Sequence, residues 1–258
     1  MSALSAWLYT LAVLAAMALL GWAGSVARRN VGLVDSLWGL FFAAAALSYA
    51  LLLQHPGPRT ALVLALVLPW SLRLTAHVTW RNWGEPEDRR YAAIRARNEP
   101  GFALKSLYLV FGLQALLAAL VSLPLLGAIA SPIPLRLLDG LGLALWALGL
   151  SCEPLADLQL ARFKADPANR SAVMDRGLWR YSRHPNYFGD FCVWWGFYLL
   201  AQAAGAWWTV IGPLIMSVLL LRVSGVTLLE RDISARRPGY REYLRRTNAF
   251  FPGPPREH

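Results

Sequence analysis

GLWRYSRHPNYFGDFCVWWG, residues 177–196, decides how this chain is read. Eight of its first fourteen residues are polar or charged, and an apolar run follows at once. Arg180, Arg183, His184, Asn186 and Asp190 stand where the chain is about to enter a greasy environment. The rest of the sequence says what that environment is. The chain has 258 residues, 57% hydrophobic and 16% charged, against about 25% charge in an ordinary soluble domain. The charge is segregated, with long apolar stretches separated by short basic ones, which is the pattern of a polytopic membrane protein. The formal charge of +10 does not gather into one soluble basic face, so it argues for a membrane surface or an anionic cofactor and against nucleic acid.

A span needs about 20 apolar residues, and seven segments qualify, at about 4–26, 31–53, 60–80, 104–130, 136–156, 186–203 and 206–229. The expected fold is therefore an all-α integral membrane protein, a seven-transmembrane helix bundle with cytoplasmic loops closing a cofactor pocket. It is one membrane domain over 1–258, with substrate-side spans in 1–103 and cofactor-side spans and tail in 104–258. The apolar N-terminus lacks a basic stretch before it and reads as a first span, not a cleaved signal. Of the 25 Lys and Arg residues, 21 fall at 28–29, in 81–105, in 157–185 and after 230. Seven spans put all four segments on one side, so the N-terminus lies outside and the C-terminus in the cytoplasm. The Ala, Leu and Arg bias points to a bacterial inner membrane. Cys152 and Cys192 sit in apolar runs and imply no disulfide framework.

The polar residues near the cytoplasmic ends carry the chemistry. Glu153, Asp157 and Lys164 share a helical face at spacings of 4 and 7. Asn186 and Asp190 share another, one turn inside the span. Interfacial anchoring explains Arg180, Tyr181 and Arg183, but not Asn186 and Asp190. Basic groups suit phosphate, Asn and Asp suit ribose hydroxyls or a carboxamide, and Tyr181 and Tyr187 suit ring stacking. Glu230, Arg231, Tyr240 and Arg246 follow the last span and read as a lid on the same site. In the N-terminal half, Asp35 lies just inside the second span, Arg73 and His77 are four apart on the third, and Glu87, Asp88, Arg89 and Tyr91 cluster in the next loop. A buried Arg73 needs a carboxylate, which Asp35 or Asp88 would supply. There is no GxGxxG, HExxH or CxxC pattern, so neither a Rossmann domain nor a metal site is expected.

RGLWRYSRHPNYFGDFCVWWG, with ADLQLARFK before it and LLERD and YREYLRRTNAFFP after it, resembles the C-terminal domain of the steroid 5α-reductase family, most closely the bacterial branch known as DUF1295. VDSLWG and EDRRY extend the likeness over nearly the whole chain. The resemblance implies seven spans, a cytoplasm-facing NADPH pocket and reduction of the C4–C5 double bond of a 3-oxo-Δ4 steroid or a related enone that enters from the bilayer. It places Asn186 and Asp190 on the family's cofactor motif, Asp157 on its span-five Asp, Lys164 where eukaryotic members have a basic residue and Arg73 on its span-three Arg, while Tyr181, Arg183, His184, Tyr187, Glu230, Arg231, Tyr240 and Arg246 are expected about the same cofactor from their residue types. Asp35, the nearest counterpart of the family's carboxylate in span two, is the expected proton donor and Tyr91 the second choice. The competing reading is an S-adenosylmethionine-dependent membrane methyltransferase of the isoprenylcysteine carboxyl type, which also carries an Arg-His-Pro-x-Tyr segment. A third is a lipid-binding or scaffold protein without catalysis.

Overall fold

The computed structural model describes residues 1–53, 57–223 and 239–256. Nine helices organise them: α1 (Ala3–Arg28), α2 (Leu33–Leu52), α3 (Thr60–Asn82), α4 (Arg89–Asn98), α5 (Phe102–Ala130), α6 (Leu137–Ala165), α7 (Pro185–Ala203), α8 (Trp207–Arg222) and α9 (Tyr240–Arg246). No strand occurs among the described residues. α1, α2, α3, α5 and α6 are each long and apolar enough to cross a membrane. Their outward faces carry bare apolar side chains, such as Leu8, Leu20, Leu51 and Leu72. In water these would form large unfavourable patches, whereas in lipid they face their own solvent. The arrangement is that of a multi-pass membrane protein. The expectation of seven spans meets five here. α7 opens on Asn186 and Asp190, and α8 is a shorter apolar helix ending at Arg222 among the described residues. Glu230 and Arg231 lie outside the described residues.

The chain forms two compact units, Met1–Arg136 with Leu200–Gly212, and Leu137–Leu199 with Pro213–His258. The division falls at 136/137, and α5 packs on α1 and α2. Three polar contacts fix α5 there. The Trp7 and Trp22 indoles of α1 donate to the Ala119 and Ala103 carbonyls at 3.0 and 2.7 Å. The Tyr49 and Ser122 hydroxyls meet at 2.8 Å. In hydrocarbon such pairs matter because water cannot satisfy the groups. α2 lies flush on α3 at Gly39, where a Cβ would fall 2.6 Å from the Ser71 carbonyl oxygen. Arg59, fully buried, donates to the carbonyls of Ile133 and Pro134 at 2.6 and 3.0 Å and closes the far end of the same unit.

In the second unit α6 and α7 run antiparallel and touch backbone to backbone. A Cβ on Gly149 would lie 2.4 Å from the Gly189 carbonyl oxygen, and one on Gly189 would lie 2.7 Å from the Glu153 nitrogen. Small residues let helices in lipid approach until van der Waals contact holds them. This crossing sets the spacing of every polar group one turn beyond it. Gly149→Val therefore forces backbone apart, and we expect a loss of about 1–3 kcal/mol, by the general cost of overpacking. Thermal unfolding of the detergent-solubilised protein checks this: an unchanged midpoint contradicts the crossing.

Candidate functional site

Each unit carries its own polar cluster. In the first, Asp35 lies in the opening turn of α2. Its Oδ1 accepts from the Tyr91 hydroxyl at 2.5 Å and its Oδ2 from Arg90 Nη2 at 3.1 Å. The Gln114 amide on α5 donates to the same Tyr91 oxygen at 3.3 Å. Asp35 thus accepts from both a phenol and a guanidinium. Burial first, and then the neighbouring Asp35 charge, push the Tyr91 phenol well above its ordinary range. Burial works against the Arg90 charge, but Asp35 and Asp88 outweigh it and hold that guanidinium above its usual value. The carboxylates expected to answer Arg73 are thus both bonded by Arg90. Arg73 itself lies half-buried on α3.

Helix α4 delivers Arg90 and Tyr91, and two anchors set its position. Asp88 caps its start by accepting from the Arg90 N–H at 2.8 Å. Glu87 takes the Val31 N–H at 2.9 Å and the Arg95 guanidinium at 2.8 and 2.9 Å, so α4 is tied to the approach to α2. Arg95 also stands 4.6 Å over the Phe102 ring. Hydrogen bonds from Arg95 hold the Glu87 carboxyl below its ordinary value against the opposing effect of burial, and the Val31 N–H adds to them. At Asp88 burial favours the neutral acid, and the bonds from Arg90 override it.

The second cluster grows from the α6–α7 crossing. Asn186 Nδ2, in the first turn of α7, donates to Asp157 Oδ1 on α6 at 3.1 Å. Glu153 and Asp190, one turn deeper on the two helices, are buried at 4% and 9% exposure, so two further carboxylates sit inside the unit. His184 stacks on Tyr187 with centroids 5.6 Å apart and planes 10° apart. Lys164, Arg176, Arg180 and Tyr181 are exposed near the same end. Arg183 Nη1 donates to the Leu244 and Thr247 carbonyls at 3.2 and 2.6 Å, so this guanidinium is at least partly committed to the C-terminal segment. Tyr240 is buried on α9, and Arg246 pairs with Asp175 at 2.8 Å.

The structure thus joins Asn186 to Asp157 and Asp35 to Tyr91. Sequence spacing missed Arg90, Gln114, Ser182 and Trp179. Gln114 had a readable signal, as the one amide in the 104–130 span. Arg90 had none beyond its place beside Tyr91, because basic loop residues are expected there anyway. Among the described residues no group of His, Cys, Asp and Glu is arranged to hold a metal ion.

A family model described as "Protein of unknown function (DUF1295)" matches residues 21–247, and the chain belongs to that family. An uncharacterized protein of Schizosaccharomyces pombe is 27% identical over 269 residues, covering 90% of this chain and 75% of its own. No solved structure matches.

The depressed Glu87 carboxyl gives a pH signature. A group with a lowered folded-state value stabilises above its unfolded value, about 4.3, and loses that contribution as pH falls through the folded value. Amide-exchange protection of 89–98 should fall as pH drops from about 5 to about 3 and be flatter in Glu87→Gln. Equal slopes in both proteins contradict the clamp.

Proposed function

We propose that this DUF1295 protein is a membrane-embedded, NADPH-dependent reductase that saturates the C=C bond of a 3-oxo-Δ4 steroid or similar apolar enone. In this reading the chain has seven spans, the N-terminus outside and the basic loops in the cytoplasm, since that arrangement puts 21 of its 25 basic residues on one side. The substrate, too apolar for water, enters from the bilayer.

The observation that carries the reading is the Asn186–Asp157 pair, set beside the buried carboxylates of Glu153 and Asp190. Buried ionisable residues in a membrane protein are costly and mark functional sites by default. The donor set fits a dinucleotide in kind. Carboxylates accept from ribose hydroxyls, an amide serves a hydroxyl or carboxamide, His184 and Tyr187 offer planar surface, and Lys164, Arg176 and Arg180 suit phosphates. Arg183 is the weaker phosphate candidate, since its Nη1 is already on two carbonyls. The bound NADPH would supply a hydride to the β-carbon of the enone. The electron pair of the C=C then moves toward the carbonyl oxygen, where a proton donor lowers the barrier.

The hydrogen-bonded Asp35–Tyr91 pair of the first unit holds the two candidate proton donors. The Tyr91 hydroxyl carries the proton and Asp35 accepts from it. Arg90 meets the other oxygen of the same carboxylate at 3.1 Å, so Asp35 and Tyr91 are held together. Gln114 fixes the phenol oxygen from the other side.

Purified protein in detergent should melt at higher temperature with NADPH and show NADPH oxidation against a panel of enones that includes testosterone and progesterone. Stabilisation by ligand follows its concentration relative to Kd, about 2.7 kcal/mol at a hundredfold excess. Tyr91→Phe should lower kcat by about 10²- to 10⁴-fold, the usual worth of a general acid, and leave NADPH binding in place. Stabilisation by S-adenosylmethionine but not NADPH would transfer the site to methyl transfer, and a Tyr91→Phe enzyme at full rate would remove the phenol from the reaction.

A further inference from the structure

The chain that enters α7 is held by the C-terminal segment. Ser182 Oγ donates to the Phe250 carbonyl at 2.7 Å and accepts from the His184 N–H at 3.1 Å. The Arg183 N–H donates to the Asn248 carbonyl at 2.9 Å, and the Gly253 N–H donates to the Tyr181 carbonyl at 3.1 Å. On the other side of the same loop, the fully engaged Tyr243 hydroxyl donates to the Trp179 carbonyl at 2.5 Å. The Trp179 indole in turn donates to the Ala156 carbonyl at 3.0 Å. Ala156 precedes Asp157, which accepts from Asn186. The contacts close a ring: C-terminal segment to Trp179, Trp179 to α6, α6 through Asp157 to Asn186, and α7 back through His184 and Ser182 to the C-terminal segment. Ser182, Trp179 and Tyr243 are all buried, at 0%, 8% and 4% exposure.

We propose that Ser182 and Tyr243 are positioning residues: by bonding residues 239–256 to the loop 176–184 they fix the first turn of α7, and with it the direction of the Asn186 amide. The argument is geometric. Pro185 presets the backbone of the first turn of α7, and the residues just before it are held by the C-terminal segment through Ser182 and the Arg183 N–H. Ser182 supplies a two-sided anchor, one bond backward to the tail and one forward to His184. Tyr243 anchors the loop at its other end, on the residue whose indole reports to α6. A tail held at both ends of one loop braces that loop. The consequence for cofactor affinity rests on the proposed reading of the Asn186 cluster. The brace itself does not.

Hydrogen exchange on the full-length protein in lipid nanodiscs tests the two parts separately. Each of these bonds contributes about 1 kcal/mol, so Tyr243→Phe and Ser182→Ala should each speed exchange about fivefold or more both in 239–256 and in 184–190, while Ser182→Thr keeps wild-type protection. Faster exchange confined to 239–256 would overturn the proposal, because the tail would then be ordering only itself. Unchanged exchange in both segments would overturn it as well. In the same preparations Tyr243→Phe should raise the Kd for NADPH by a similar factor. Coupled exchange with unaltered Kd would refute the link to Asn186, whereas coupled exchange in a wild-type protein that binds no NADPH would sink the cofactor reading and leave the brace standing.

Discussion

One hydrogen bond between two helices organises the second unit. Asn186 reaches Asp157 because α6 and α7 approach until backbone meets backbone at Gly149 and Gly189. Any side chain at either glycine would hold the helices apart and stretch the Asn186–Asp157 bond. In a low-dielectric setting an unanswered polar group costs several kcal/mol, so packing and polarity here are one constraint. The same constraint shapes the first unit. Asp35 is tolerated at the start of α2 because Arg90 and Tyr91 come to it on a separate helix, and that helix is tied down by Glu87, Arg95 and Val31.

Each unit's cluster has its own chemistry. One is rich in oxygen acceptors and exposed cations, the set that a phosphorylated nucleotide needs. The other joins a phenol that burial keeps protonated to a carboxylate that Arg90 also meets. Neither arrangement is demanded by stability. Replacing a buried ionic network with apolar residues is often neutral or stabilising, so its retention asks for a functional reason.

The fold class was legible because lipid imposes a length and a composition that few other environments do; α1 to α3 and α5 match their predicted spans closely, while α6 starts where expected and runs on to Ala165, past the expected end at 156. The last two segments were harder for the same physical reason. α7 opens on Asn186 and Asp190, and α8 ends at Arg222, so polarity meets apolar length within one element. Asn186 and Asp157 both stood out in the sequence as polar residues near span ends, but their bond was not legible, because nothing in spacing relates residues 29 positions apart. The role of Tyr91 relative to Asp35 was unreadable because it depends on Arg90, which looks like any other basic loop residue. The brace by the C-terminal segment was equally hidden, being made largely to backbone carbonyls that carry no sequence identity.

The central claim is that the Asn186 cluster holds a phosphorylated dinucleotide. Calorimetric titration of NADPH into the nanodisc-embedded protein, run beside Asn186→Leu, tests it most directly. The account predicts saturable binding in the wild type and a loss of about tenfold or more in the variant, the cost of removing a hydrogen-bonding partner from a buried polar set. Equal affinity in the two proteins, or no binding to either, contradicts it.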